Sequence, residues 1–269
     1  CVVESGEENI GINIIAVPEF FEKPFQMLKK QNKIMDFLKE HKTAYVRELA
    51  HSLYASEATI RRDLAELKKM GLIERSHGGA VLPENADEIS MFVRINKNAR
   101  EKERAASVAL KILPDFKTVF IDSSSTALAL AARMDLSFKT VVTNNLQTAM
   151  QLSKKPNVTL ILLGGSVQFN TNSATGSWTT RQLEDFSFDL MLSSCAAVKE
   201  KAAFERSLDQ KEIKRAAFLR SAKKILVVDH TKFSANASYR LTGLEEFDCV
   251  ATDVPPPAEF DDGKIPFVY

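Results

Sequence analysis

Ser56-Glu57-Ala58-Thr59-Ile60-Arg61-Arg62-Asp63-Leu64-Ala65-Glu66-Leu67 is the stretch on which the reading of this chain turns. Ile60, Leu64 and Leu67 recur at i, i+4 and i+7, the stripe of a helix with one buried face. Ser56 stands where an N-cap hydroxyl is needed. Glu57 falls in the first turn, where the helix dipole favours negative charge. The spacing predicts a helix over 56–70, ended by Gly71 as a C-cap residue. Working backwards, Val46, Leu49, Ala50 and Leu53 stripe a helix over 46–53, and Tyr54-Ala55 makes a tight turn before Ser56. Leu28, Ile34, Phe37 and Leu38 stripe an earlier helix ending near Glu40, followed by a polar break at His41-Lys42-Thr43. Working forwards, Leu72-Ile73-Glu74-Arg75 and Ala80-Val81-Leu82 flank Ser76-His77-Gly78-Gly79, the pattern of a β-hairpin.

Two short helices joined by a tight turn form a helix-turn-helix, whose second helix enters the major groove with its N-terminal residues on base edges. The candidates there are Ser56, Glu57, Thr59, Arg61 and Arg62, since arginine suits bidentate contact with guanine and hydroxyls bond bases or phosphates. Lys68 at the far end suits a backbone phosphate, and the hairpin would be a wing offering Arg75 and His77. The alternative is a three-helix packing module whose arginines only solvate its surface.

Charge is distributed unevenly around this segment. The chain has 269 residues, 36 Lys+Arg against 35 Asp+Glu, and a net charge of +1. Residues 1–26 carry five acids and one base, 27–80 carry 11 bases and 7 acids, and 81–269 carry 24 bases and 23 acids. Near-neutrality therefore hides a basic segment of the size a nucleic-acid module needs. The 45% hydrophobic content excludes disordered and collagen-like classes. Cys1, Cys195 and Cys249 lack metal-ligand spacing and make an odd count, which fits a reducing cytosol and no metal site. No run of about 18 apolar residues occurs, so no membrane span is expected. Residues 1–26 lack the basic-then-apolar pattern of a secretory signal. Met27 is expected to be the native start, with 1–26 an extension.

Residues 27–82 resemble the DNA-binding domain of the DeoR family of bacterial transcription regulators. The likeness is carried by Val46-Arg-Glu-Leu-Ala-His-Ser-Leu, Thr59-Ile60-Arg61-Arg62-Asp63-Leu64, Gly71-Leu-Ile-Glu-Arg and His77-Gly78-Gly79-Ala80. It implies a winged helix on double-stranded operator DNA, with Arg61 and Arg62 on the recognition helix.

Residues 83–90 read as a polar linker. Beyond them, strand-like runs at 118–122, 140–143, 158–163, 188–193, 224–229 and 247–253 alternate with helical stretches at 100–112, 125–133, 146–153 and 209–221. Such alternation predicts an α/β domain over 91–254 with a mostly parallel sheet, leaving 255–269 as a tail. Ligands in such sheets bind beyond the carboxyl ends of strands. Polar groups gather at those ends: Asp122, Ser123, Ser125 and Thr126; Thr143 and Asn144; Gly164 and Gly165; and Lys232. Hydroxyls at a helix N-terminus, an amide, close-approach glycines and a lysine suit a small phosphorylated polyol. Each motif alone is as well explained by caps and turns.

The run Phe92-Val-Arg94 with Asn98 and Glu101-Lys102, Phe120-Ile-Asp122-Ser-Ser-Ser-Thr126, Val142-Thr-Asn144, Leu163-Gly-Gly165, Gly176, Phe188-Asp189 and Asp229-His-Thr-Lys232-Phe233 is similar to the effector domain of DeoR regulators, itself similar to sugar-phosphate isomerases and CoA transferases. The resemblance implies that a phosphorylated sugar or polyol binds at the nine positions just named. Three departures stand out. Ser124 replaces the family's usual glycine. Ser193-Ser194-Cys195-Ala196-Ala197-Val198 replaces a run containing an acid and two glycines. A later glycine is missing around 201–204. These changes are expected to crowd the pocket and remove a polar contact. Cys195 is read as a small semi-buried residue and His51 as a solvent-facing one.

The sequence thus predicts a cytoplasmic DNA-binding regulator. It would be a repressor of a sugar or polyol catabolic operon, a homo-oligomer (dimer or tetramer), with no cofactor, catalytic residue or membrane contact. Two other readings stay open: an isomerase carrying a DNA module, and an effector-independent DNA-binding protein with a scaffold C-terminal domain.

Overall fold

The computed structural model describes residues 29–69, 72–82, 90–261 and 263–269. Residues 1–28, most of the 83–90 linker and Gly71 lie outside these, and with them the expectations placed there.

The first unit comprises helix α1 (Lys29–His41), strand β1 (Thr43–Tyr45), helices α2 (Val46–Ser52) and α3 (Glu57–Lys69), and strands β2 (Glu74–Ser76) and β3 (Gly79–Val81). The apolar stripes close on one another. Ile34 and Leu38 from α1, Leu49 from α2, and Ile60, Leu64 and Leu67 from α3 are all fully buried in one core. Ser56 caps α3, its Oγ accepting from Thr59 N–H at 3.2 Å. The expected polar break falls at Lys42, and its last residue, Thr43, opens β1, a strand the sequence did not mark, which pairs antiparallel with β3 to give the sheet order β1-β3-β2. Only Ala44 of β1 is buried, so the strand has no apolar signature. The close approach explains Gly79, where an added Cβ would collide with the Ala44 carbonyl.

The second unit is a doubly wound sheet. It runs α4 (Met91–Asn96), α5 (Ala99–Leu110), β4 (Thr118–Ile121), α6 (Ser125–Arg133), β5 (Thr140–Thr143), α7 (Leu146–Leu152) and β6 (Thr159–Leu162). Next come a hairpin of β7 (Ser166–Gln168) and β8 (Ser173–Thr175), α8 (Ser177–Gln182), β9 (Phe188–Ser193), β10 (Ala197–Lys199), β11 (Ala202–Glu205) and α9 (Leu208–Leu219). The chain closes with β12 (Ser221–Val228), β13 (Tyr239–Gly243), β14 (Cys249–Thr252) and β15 (Phe267–Val268). Seven strands pair in parallel in the order β15-β14-β12-β9-β4-β5-β6.

Alternation along each strand feeds two cores. Val119 and Ile121 face Ala105, Ala109 and Leu130 of α5 and α6, while Phe120 joins Ile213, Ala217 and Phe218 of α9 on the other side. The segment expected as a tail is part of this body: Phe260 and Ile265 are buried and β15 completes one sheet edge. Strands β10, β11 and β13, which sequence periodicity did not mark, form a separate antiparallel sheet.

The chain leaves β4 to build β5 and β6 on one side, then returns to build β9, β12 and β14 on the other. The order therefore reverses between β4 and β9, and a crevice opens at their carboxyl ends.

Candidate effector cavity and nucleic-acid interface

Four elements converge on that crevice. Asp122 follows β4 and is fully buried. Its Oδ1 accepts from Ser124 N–H at 2.9 Å. Its Oδ2 accepts from Ser193 Oγ at 2.7 Å and Ser194 N–H at 3.0 Å, which ties β4 to β9. Lys214 of α9 reaches in to meet Asp122 at 2.9 Å and Glu205, at the end of β11, at 2.7 Å. Burial opposes the charge on Asp122, but the Lys214 ammonium and these hydrogen bonds outweigh it and hold the carboxyl below the ordinary range. Burial pushes Glu205 up, with Lys214 offsetting part of the effect. Burial works against the Lys214 charge too, yet the two carboxylates more than compensate and raise its pKa. Lys214 therefore remains an ammonium.

Above this cluster lies a cavity of about 360 Å³. Its floor is Ser194, Cys195, Glu205 and Lys214; one wall is Ser124, Ser125 and Thr126 at the start of α6. Arg94, Lys97, Asn98 and Lys102 form a second wall, and Asp229, Thr231 and Lys232 a third. Arg206 also lines it, so six cationic side chains face two acidic ones. Lys102 donates to the main-chain carbonyls of Arg94 and of Lys97, the latter at 2.6 Å. Burial, followed by the neighbouring Lys232 charge, lowers its pKa to about 7. Two buried atoms on this lining, Ser194 Oγ and Asp229 Oδ2, have no hydrogen-bond partner. Buried polar atoms are nearly always paired, so both are suited to a bound hydroxyl.

The nine positions expected to hold the effector divide. Ser125, Thr126 and Lys232 line the cavity. Asp122 does not line it but holds three residues that do, Ser124, Ser194 and Lys214, and Ser123 turns its Oγ to Gln210 at 2.6 Å. Thr143, Asn144, Gly164 and Gly165 lie elsewhere, at strand ends away from the reversal, and serve the β7–β8 hairpin. Thr143 Oγ1 accepts from Asn145 N–H at 3.1 Å and Asn144 donates to the Ala174 carbonyl at 3.0 Å. The Gly164 carbonyl accepts from Thr179 Oγ1 at 2.8 Å, and a Cβ on Gly165 would collide with Thr179. The altered run at 193–198 does not close the cavity, since Ser194, Cys195 and Ala196 line it, and Glu205 of β11 lines it too. Glu205, Arg206 and Lys214 carried no local motif, whereas Arg94 and Lys102 stood in the run that resembles the effector domain without having been marked as ligand contacts. Cys195 is buried and its thiol is pushed up to about 12, first by burial and then by Glu205, which disfavours the thiolate.

On the winged helix, Arg61, Arg62 and Lys68 are exposed on α3 and His77 on the wing, with Thr59 and Arg75 half-buried. Glu57 holds two cations, Arg61 at 3.1 Å and Arg47 of α2 at 3.4 Å. Arg47 joins the basic face without having been marked by sequence. Tyr54, in the turn between the helices, has φ 48° and is almost fully exposed. A bulky residue in this left-handed conformation is uncommon.

The family model described as DeoR-like helix-turn-helix domain matches residues 30–86, and that described as DeoR C terminal sensor domain matches 97–254. The chain belongs to the DeoR family. This DeoR-family transcriptional regulator is 35% identical over 233 residues to the HTH-type transcriptional regulator GolR of Listeria innocua, covering 86% of this chain and 91% of GolR. It is 33% identical to the glycerol-3-phosphate regulon repressor of Escherichia coli, covering 85% and 92% of the two chains. It is 29% identical to the HTH-type transcriptional repressor GlcR of Bacillus subtilis, covering 85% and 89%. Among solved structures, a ribose 5-phosphate isomerase A of Methanocaldococcus jannaschii aligns with 51% of this chain and 55% of its own at 14% identity and a TM-score of 0.37, too slight to bear on fold or chemistry. No helix among the described residues is long and apolar enough to cross a membrane, and no group of three metal-ligating side chains occurs among them.

Proposed function

We propose that this DeoR-family regulator is a cytoplasmic repressor of a sugar or polyol catabolic operon. A phosphorylated sugar or polyol in the cavity would release it from operator DNA. The observation that carries the reading is the cavity lining: cationic side chains and the amides opening α6 for a phosphate, beside the unpartnered Ser194 Oγ and Asp229 Oδ2 for hydroxyls. Glycerol 3-phosphate, named for the Escherichia coli relative, belongs to this chemical class.

On the DNA side, α3 enters the major groove with Arg61 and Arg62 on base edges and Ser56, Glu57 and Thr59 beside them. Lys68, Arg75, His77 and Arg47 take phosphates. Two copies would read paired half-sites. Helix α4 links the two events. Its Val93 is buried in the winged-helix core, while Arg94, one residue on, lines the cavity and donates to the Ser123 carbonyl at 3.5 Å. Lys102 caps the carboxyl end of the same helix. An anion competing for Lys102 weakens that cap, and Val93 carries the change into the DNA-binding core. The effector needs only differential affinity for the two states, and about 1–3 kcal/mol of coupling gives the usual 5- to 150-fold range.

The test is fluorescence anisotropy on duplexes from the region upstream of the gene, titrated with phosphorylated sugars and polyols and their unphosphorylated counterparts. The expected result is specific binding weakened roughly tenfold or more by one phosphorylated compound. Release by none of them sinks effector control. Glu205 and Asp229 also give an enzyme reading its acid–base groups. Turnover of an aldose or ketose phosphate by the purified protein would replace the non-enzymatic reading.

A further inference from the structure

One surface of the sensor unit plays no part in the cavity or the basic face. From position 156 to position 180 the chain has no charged side chain, although 26% of all its residues are charged. This stretch contains β6, the open edge of the seven-stranded sheet, and the β7–β8 hairpin. Leu162 at the end of β6 is exposed, as are Val167 and Phe169 on the hairpin and Trp178 at the start of α8. A Cβ on Gly164 would sit 3.9 Å from the Trp178 ring nitrogen, so Trp178 lies against the backbone that continues β6. An apolar edge without lysine or proline is one that soluble proteins normally cover. Charge depletion with exposed aromatics is the composition of an interface core.

We propose that a second copy of this chain docks on this surface, edge strand β6 and the β7–β8 hairpin of one protomer meeting the same elements of the other. A surface that meets its own copy about a two-fold axis brings like charges together unless it has few, and the stretch from 156 to 180 contributes none. The same lack of charge gives it nothing to offer DNA phosphates or a charged partner. The need for two DNA-binding units rests on the proposed function; the composition and the open edge do not.

The test is sedimentation velocity of the full chain without DNA or effector, alongside emission from Trp178, the protein's single tryptophan. Wild type is expected as a dimer or a larger even assembly, with Trp178 emission shifting to the blue as concentration drives association. F169E and, separately, V167E should weaken assembly by roughly a hundredfold, the range of a buried aromatic anchor, with circular dichroism unchanged. L219E, at an exposed leucine elsewhere, should leave assembly intact. A monomer at all concentrations, or assembly indifferent to both hairpin variants, overturns the proposal. Should a variant unfold, wild-type Trp178 decides: emission that stays constant while the mass doubles places the interface elsewhere. Effector release of operator DNA is measured separately, so failure of one leaves the other standing.

Discussion

Lys214 Nζ lies 2.9 Å from Asp122 Oδ2 while also holding Glu205, and all three side chains are buried. One ammonium thus holds α9, β4 and β11 together beneath the cavity. Removing it leaves two carboxyls buried without their counter-ion. K214M should cost about 3–5 kcal/mol, the range for breaking a buried pair from one side. Urea denaturation followed by circular dichroism measures this; a loss under about 1 kcal/mol would show that the cluster does not depend on Lys214.

Lys102 should make effector binding pH-dependent. With its pKa lowered to about 7, it is charged below that pH and neutral above it. A phosphate binds the charged form, so affinity should fall as pH rises through about 7, in a range where the ligand's own second ionisation, near 6, is already complete. K102M should flatten the profile. The same shift makes wild type gain stability with pH above about 7, because the unfolded chain then holds the proton that folded Lys102 has lost. Titration calorimetry and melting curves between these limits check both signs.

Arg61 and Arg62 should be separable from folding. Each is exposed, so R61A and R62A should each weaken specific operator binding about 5- to 150-fold while leaving melting temperature and assembly unchanged. Loss of a bidentate base contact is worth about 1–3 kcal/mol of discrimination. R47A should instead lower affinity across sequences and shallow the salt dependence, as a phosphate contact does. Full specific affinity in R62A would move the recognition surface off α3.

Val93 should matter to communication more than to either site. V93A shortens the α4 side chain that enters the winged-helix core. Effector affinity measured without DNA should stay within about twofold of wild type, while the effector's influence on operator affinity shrinks. An unchanged coupling factor removes α4 from the route.

The parts legible in the sequence were those with periodic burial. Ile60, Leu64 and Leu67 read as one helix face and are fully buried as one. Six of the seven parallel strands and α6 were equally plain, β15 being the exception. Strand β1 was hidden because three residues with one buried alanine have no periodicity. The β7–β8 and β10–β11–β13 pairings were hidden because small and polar residues there alternate no apolar face. Thr143, Asn144, Gly164 and Gly165 were grouped with Asp122 because all stand at strand ends, and they lie outside the lining of the cavity. The chain reversal between β4 and β9 singles out Asp122 and Ser194. The ends of β5 and β6 are occupied by the hairpin, whose Ser173 bridges to Asn145. Glu205 and Lys214 lie far from Asp122 in sequence, and no local pattern announces a contact of that kind.

The Met91 N–H donates to the Asn170 carbonyl, in the turn of the β7–β8 hairpin, at 2.7 Å. Helix α4 is therefore fastened to the arm on which the second copy docks. A shift of α4 in one protomer pulls on the shared arm, and the partner's arm feels it. The dose-response of release should then be steeper than that of independent sites, so that a small rise in metabolite level switches the operon over a narrow range.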